Sequence, residues 1–230
     1  MSSPASPQPV SAIIFDCDGV LVDSEVLALE IEISVLGEAS LHYDRAEFAA
    51  RFTGMSMPRF YAELEADGLA RLGRSIKHVI HGPMKERYRE AFDTRLAEIA
   101  GALAAIEAVT HRKAVASSSG REALERKLRK VGHWPHFHPH IYSADHVVEA
   151  KPAPDLFLLA ADELGVDPAE CLVLEDSING VLAANAAGMR VWGFTAGGHM
   201  DEAAGKRLLA TGAERLITSW AEFSTAVLDL

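Results

Sequence analysis

The chain has 230 residues, 49% of them hydrophobic, and a formal net charge of -11 from 22 Lys and Arg against 33 Asp and Glu. That composition fits a globular protein of one large or two unequal domains, with enough apolar residues for a substantial core. With no polybasic tract it argues against nucleic acid or an anionic membrane surface as a partner, so an anionic substrate has to be captured by local groups.

Residues Met1 to Pro9 carry neither basic residues nor an apolar run, and they read as a flexible tail, not a signal peptide or a span. Ser11 to Phe15 reads as a short buried strand. It runs straight into Asp16-Cys17-Asp18-Gly19, and the strand period of two puts Asp16 and Asp18 side by side at its carboxyl end. Two like charges held that close need a cation or a shared proton. Taken alone, the same pattern also fits a strand followed by an Asp-rich turn.

From about Glu25 to Leu96 the pattern is helical and charge-rich, with Pro83 placed to start a helix. Further strand-like runs follow at Ala114–Ala116, Cys171–Leu174, Val191–Phe194 and Leu216–Thr218, alternating with helical segments as in a parallel α/β sheet. The first two strands are separated by far more chain than a crossover helix requires. The expected organisation is therefore an α/β fold: a Rossmann-like parallel-sheet core over residues 10–24 and 97–230, with an inserted helical cap over 25–96. Cys17 and Cys171 sit among apolar residues, where a small buried thiol is the ordinary reading, and a reducing cytoplasm is consistent with them.

Three later segments carry chemistry. The strand Lys113 to Ala116 ends in Ser117-Ser118-Ser119-Gly120-Arg121, where hydroxyls and backbone N–H groups at a helix start suit a phosphate; Ser117 also fits an ordinary N-cap. In Lys151-Pro152-Ala153-Pro154-Asp155 two prolines fix the chain just ahead of a helix, and a rigidly held Lys151 suits neutralising phosphoryl oxygens. Asp155 reads as capping or orienting that helix. The strand Leu172 to Leu174 ends in Glu175-Asp176-Ser177-Ile178-Asn179-Gly180. Ends of parallel strands lie together on one side of a sheet, where Asp16, Asp18, Ser117, Lys151 and Asp176 converge, and oxygen ligands of this kind favour magnesium.

These segments, in this order and at these spacings, resemble the haloacid dehalogenase superfamily, in its branch with a helical cap inserted after the first motif. The resemblance runs from about Ile13 to Ile217. It implies that Asp16 is a nucleophile forming an aspartyl-phosphate, and that Asp18 protonates the leaving alkoxide and then activates water. It further implies that Ser117 and Lys151 hold phosphoryl oxygens. Mg2+ would be bound by Asp16, Asp176 and the backbone carbonyl of Asp18, with Glu175 acting through water or by orienting the site. Members that displace halide typically lack an acid two residues after the nucleophile, so Asp18 favours phosphate chemistry.

The branch also includes β-phosphoglucomutase-like proteins, with a histidine shortly after the first motif and an arginine in the first cap loop. This chain has Ala28 and Met57 at those places, with Arg59 nearby. A phosphatase of a small phosphorylated metabolite is the favoured reading, similar to bacterial phosphatases of sugar phosphates and sugar acids such as 6-phosphogluconate. A mutase is the alternative, and a phosphosugar-binding module a third reading disfavoured by the intact acids. Candidate substrate contacts are Ser24, Gly54, Ser56, Arg59 and Lys85 of the cap and Ser118 and Arg121 of the core. The expected assembly is a monomer or weak homo-oligomer. His133, His136, His138 and His140 lie in a proline-interrupted segment read as a loop partly packed against the core and not as a zinc site. Gly197-Gly198-His199 fits a phosphate loop but reads better as a flexible connection near the site's rim.

Overall fold

The computed structural model describes residues 9–52, 55 and 57–230. Among these residues, apolar runs with β-branched and small side chains form six strands: β1 Ala12–Phe15, β2 Arg112–Ser117, β3 Ile141–Ser143, β4 Cys171–Glu175, β5 Arg190–Phe194 and β6 Arg215–Ile217. They make one sheet in the order β3-β2-β1-β4-β5-β6, with every pairing parallel. A parallel sheet covered on both faces needs near-continuous apolar strands, and β1 and β4 are buried along their whole length. Phe15 packs on Phe137, Trp220 and Phe223, whereas Ala12 and Ile14 belong to the cluster containing Leu156, Phe157, Val181 and Val191.

The chain order reverses at β1, which lies between β2 and β4. Ligands of open α/β sheets bind outside the carboxyl ends of the strands at such a reversal. Phe15 pairs with Val115 on one side and Leu174 on the other, so the residues just beyond, Asp16, Ala116, Ser117 and Glu175, emerge together.

The contacts divide the chain into two compact units: residues 1–23 with 97–230, and Ser24–Leu96. In the second unit the helices are α1 Ser24–Glu38, α2 Arg45–Phe52, α3 Met57–Leu72, α4 Lys77–Ile80 and α5 Gly82–Arg95, the last with Pro83 in its first turn. Their apolar positions recur at helical spacing, as in Leu27, Ile31 and Val35, and close on Phe48, Phe52, Phe60, Leu64, Ile80 and Met84. Inside this unit Tyr88 Oη donates to Glu32 Oε1 at 2.5 Å, and burial pushes the Glu32 carboxyl up to about 7.

In the sheet unit the helices are α6 Ala102–Ala108, α7 Arg121–Lys130, α8 Trp134–Phe137, α9 Asp155–Leu164, α10 Ile178–Ala186, α11 Glu202–Thr211 and α12 Trp220–Ala226. The segments that lead out to and back from residues 24–96 pair with each other. Asp23 N–H donates to Ala97 O at 3.2 Å, Ile99 N–H donates to Leu21 O at 3.1 Å, and Val22 and Glu98 form an antiparallel bridge.

Three local expectations are corrected. Strand β3 was not anticipated, because it is three residues long at the sheet edge and follows Pro139 and His140 without an apolar run. The last strand stops at Ile217, since Thr218 turns its N–H and Oγ1 to Glu222 Oε2 at 2.7 Å each. The histidine segment is not all loop, since Pro135 opens a helical turn in α8; its packing on the core is as expected, with His133 fully buried, Nε2 3.0 Å from Glu98 Oε2, and Phe137 inside. Of the expected tail only Pro9 is among the described residues, and Gly54 and Ser56 lie outside them.

Candidate active site

Asp16 follows the last residue of β1, its N–H donating to Leu174 O at 3.0 Å, which fixes the carboxylate at the carboxyl end of the sheet. Lys151 reaches it from the turn before α9. Its ammonium donates to Asp16 Oδ1 at 2.7 Å, Glu175 Oε2 at 2.8 Å and Ala116 O at 2.9 Å. All three ammonium hydrogens are thereby used, as burial of a lysine demands. Burial alone would lower the Lys151 pKa, but the charges and hydrogen bonds of Asp16 and Glu175 outweigh it and hold the group above its ordinary value. Asp16 moves up well beyond the usual carboxylate range, first because it is buried and next because Glu175 repels its charge, with Lys151 pulling the other way.

Glu175 ends β4 and is 1% exposed. Its Oε1 accepts from Ser177 N–H at 3.0 Å and Ser177 Oγ at 2.7 Å, while Ser177 Oγ accepts from Gly180 N–H at 3.0 Å and so caps α10. The glutamate lies flat on the first turn of that helix. A Cβ on Gly180 would stand 1.9 Å from Glu175 Cδ, which is why glycine occupies the position. The same logic holds at Gly19, where φ is +77° and a Cβ would meet Asp176 Oδ2 at 1.8 Å and His199 Cε1 at 2.7 Å.

Asp16, Glu175 and Asp176 each offer a carboxylate oxygen within 4.8 Å of the others. Three acids against the one Lys151 ammonium leave surplus negative charge in a site where water is largely excluded, and an all-oxygen donor set of this kind fits a hard divalent cation.

Asp18 is held from a different side. Lys127 Nζ donates to Asp18 Oδ1 at 2.5 Å, Ser119 Oγ donates to Asp18 Oδ2 at 2.7 Å, and Lys127 Nζ also lies 3.0 Å from Ser119 Oγ. Both carboxylate oxygens are therefore fixed. His199 Nε2 stands 2.9 Å from Asp176 Oδ2.

The structure thus brings Asp16, Lys151, Glu175 and Asp176 together, with Ser117 buried at the end of β2 and its Oγ accepting from Ser119 N–H at 3.1 Å. Ser117 is not an N-cap, since Gly120 holds that position at α7. The first helical N–H, that of Arg121, is already taken by Asp145 Oδ2 at 2.7 Å. Asp155 opens α9 as its first residue, with Pro154 at the cap position, and so is not a side-chain cap. Ser118 is exposed, Arg121 reaches Glu125 at 3.2 Å, Arg59 reaches Glu63 at 3.7 Å within its own helix, Lys85 is exposed on α5, and Ser24 is buried at the start of α1.

Sequence reading missed Ser119, Lys127 and the placement of His199. Lys127 had a signal: it sits three residues after Leu124 and one before Leu128, on the buried stripe of α7. His199 had one too, in the two glycines before it. A Cβ on Gly197 would come 2.8 Å from His199 Cε1 and 2.9 Å from Gly19 O, so the glycine is there for close approach, not for flexibility.

A parallel α/β sheet ending in these acids beside a buried lysine defines a hydrolase of the haloacid dehalogenase type. The match to the haloacid dehalogenase-like hydrolase family covers residues 10–188, and the chain belongs to that family. It is 33% identical over 218 residues to a phosphorylated carbohydrates phosphatase of Thermotoga maritima, covering 90% of this chain and 94% of that one. It is 28% identical over 191 residues to the 6-phosphogluconate phosphatase of Escherichia coli, covering 83% and 85%. A crystal structure of a haloacid dehalogenase-like protein of unknown function from Agrobacterium tumefaciens superposes with a TM-score of 0.86 at 35% identity, covering 96% and 98% of the two chains. The chain also matches the chloroplast protein SUPPRESSOR OF QUENCHING 1 of Arabidopsis thaliana, 36% identical over 190 residues, which are 79% of this chain but 17% of that protein's length. No helix among the described residues is long and apolar enough to cross a membrane.

Proposed function

We propose that the chain is a magnesium-dependent phosphatase that hydrolyses a small phosphorylated metabolite, a sugar phosphate or sugar-acid phosphate, through an aspartyl-phosphate on Asp16. The observation that carries the reading is the pair of acids at the end of β1 held in different ways: Asp16 among Lys151, Glu175 and Asp176, and Asp18 between Lys127 and Ser119. Two carboxyl groups two residues apart in unlike surroundings suit one nucleophile and one acid/base. The kinship with phosphatases of phosphorylated carbohydrates supports the substrate class. Both cysteines are buried as thiols, which suits a reducing compartment such as the cytoplasm.

In this mechanism Asp16 Oδ attacks phosphorus, the bond from phosphorus to the ester oxygen breaks, and Asp18, which enters this step protonated with one of its hydrogen bonds from Lys127 and Ser119 given up, gives its proton to the departing alkoxide. Asp18, now ionised, takes a proton from water, whose oxygen attacks the phosphorus of the aspartyl-phosphate and releases inorganic phosphate with Asp16 restored. Lys151 and Ser117 hold the phosphoryl oxygens, and Lys151 keeps its charge throughout. Asp16, Asp176 and the backbone carbonyl of Asp18 would hold Mg2+, with Glu175 orienting Lys151 and the start of α10. The bound ion would neutralise the charge that gathers on the transferring group.

The test is phosphate release with Mg2+ from a panel of sugar phosphates and sugar-acid phosphates including 6-phosphogluconate, beside Asp16→Asn. Release from one or a few compounds, abolished in Asp16→Asn, is the expected result. With β-glucose 1-phosphate, isomerised product that appears only with a bisphosphate primer and without release would make the protein a mutase. Ala28 and Met57, where the mutase-like proteins carry a histidine and an arginine, stand against that outcome.

A further inference from the structure

We infer that His199 is a positioning residue for Asp176, holding that carboxylate in the orientation in which it faces a divalent cation; the inference rests on the metal-binding part of the proposed function. An ionised carboxylate only accepts hydrogen bonds, so at 2.9 Å from Asp176 Oδ2 the Nε2 atom of His199 is the donor. Asp176 at the same time offers a carboxylate oxygen within 4.8 Å of those of Asp16 and Glu175. Both side chains are nearly buried, at 10% exposure for His199 and 7% for Asp176, so water competes weakly for this contact.

The histidine is preset by its loop. Gly198 N–H donates to Asp23 Oδ1 at 3.2 Å, Met200 N–H donates to Gly197 O at 3.0 Å, and Asp201 caps α11 by accepting from Ala204 N–H at 2.6 Å. Two glycines leave room for the ring. A Cβ on Gly19 would stand 2.7 Å from its Cε1, and one on Gly197 would stand 2.8 Å from the same atom. The turn after β1, the loop after β5 and the acid after β4 thus meet at one imidazole. Partners of this kind, hydrogen-bonded to a metal-binding group, typically change metal affinity about 10–100-fold when removed.

The experiment is calorimetric titration of the full chain with Mg2+ alone, for wild type, His199→Leu, His199→Gln and Asp176→Asn, with urea unfolding of each metal-free protein. Mg2+ binding weakened about 10–100-fold in His199→Leu, and largely recovered in His199→Gln, whose amide N–H has comparable reach, is the expected result. If His199→Leu does not fold, His199→Asn carries the test, since its shorter side chain stops short of Asp176 and must weaken Mg2+ binding likewise. Binding that is lost in Asp176→Asn but unchanged or tightened in His199→Leu overturns the inference alone. Binding that survives in Asp176→Asn overturns the metal-binding reading, and the role of His199 falls with it.

Discussion

Two glutamates are drawn away from water in this molecule, Glu175 fully in the sheet unit and Glu32 by half in the helical unit, and they are accommodated by opposite means. Glu175 keeps company with a cation: Lys151 at 2.8 Å, with Ser177 giving two further hydrogen bonds. Among the described residues Glu32 has no cation at hand: burial, helped by the repulsion of Glu25, pushes its carboxyl up to about 7 in spite of the Tyr88 hydroxyl at 2.5 Å, whose hydrogen bond favours the charged form. A buried acid is made tolerable either by a neighbouring charge or by neutralisation. The first solution keeps charge in place and the second removes it, so the counter-ion marks the end of the sheet where the acids gather.

The largest break in that comparison comes from removing the cation. Lys151→Met leaves Asp16 and Glu175 buried without it, and by analogy with broken buried ion pairs the metal-free protein should lose about 3–5 kcal/mol of stability at pH 7 in urea unfolding. A loss under about 1 kcal/mol would mean that hydration reaches these acids in spite of their burial.

Glu32 gives an intermediate effect with a defined sign. Its folded value of about 7 lies above the ordinary 4.5, so between those pH values the folded state binds the proton more tightly than the unfolded chain. Its contribution is fully present below about pH 4.5 and is lost as pH rises through about 7. Glu32→Gln keeps an acceptor for Tyr88 and cannot ionise. It should therefore exceed wild type in stability by about 2–3 kcal/mol at pH 8, after a discount for residual exposure, and match it near pH 4. Equal stability at both pH values would show that Glu32 is hydrated.

The smallest effect belongs to a surface pair. Arg121, 66% exposed and 3.2 Å from Glu125, should change stability by no more than about 0.5 kcal/mol in Arg121→Ala. It should also leave phosphate release intact, since its side chain points along α7 and not to the acids. A large loss of release there would restore it as a substrate contact.

The sheet was legible in the sequence wherever an apolar run was long enough, and unreadable at β3, whose three residues are defined only by the neighbour they pair with. The same divide runs through the site. Asp16, Glu175 and Asp176 announce themselves because each directly continues a buried strand. Ser119 and Lys127 meet Asp18 across sequence separations of 101 and 109 residues, and no local pattern encodes such a meeting. His199 was hidden by its own glycines, which look like slack in a sequence and prove to be clearance in three dimensions. The Arg121 amide shows the converse. Its place at a helix start suggested an anion cradle, yet Asp145, 24 residues away, already fills it.

The paired segments around Leu21–Asp23 and Ala97–Ile99 bear on how the chain can change. Because they hydrogen-bond to each other, the chain leaves the sheet unit at Ser24 and returns at Ala97 through one closed neck. Joining β1 to β2 then requires only the short path across that neck, and the entropy of closing the longer loop grows only with the logarithm of its length. Residues 24–96 can therefore lengthen, shrink or be exchanged for another segment while the six strands keep their register.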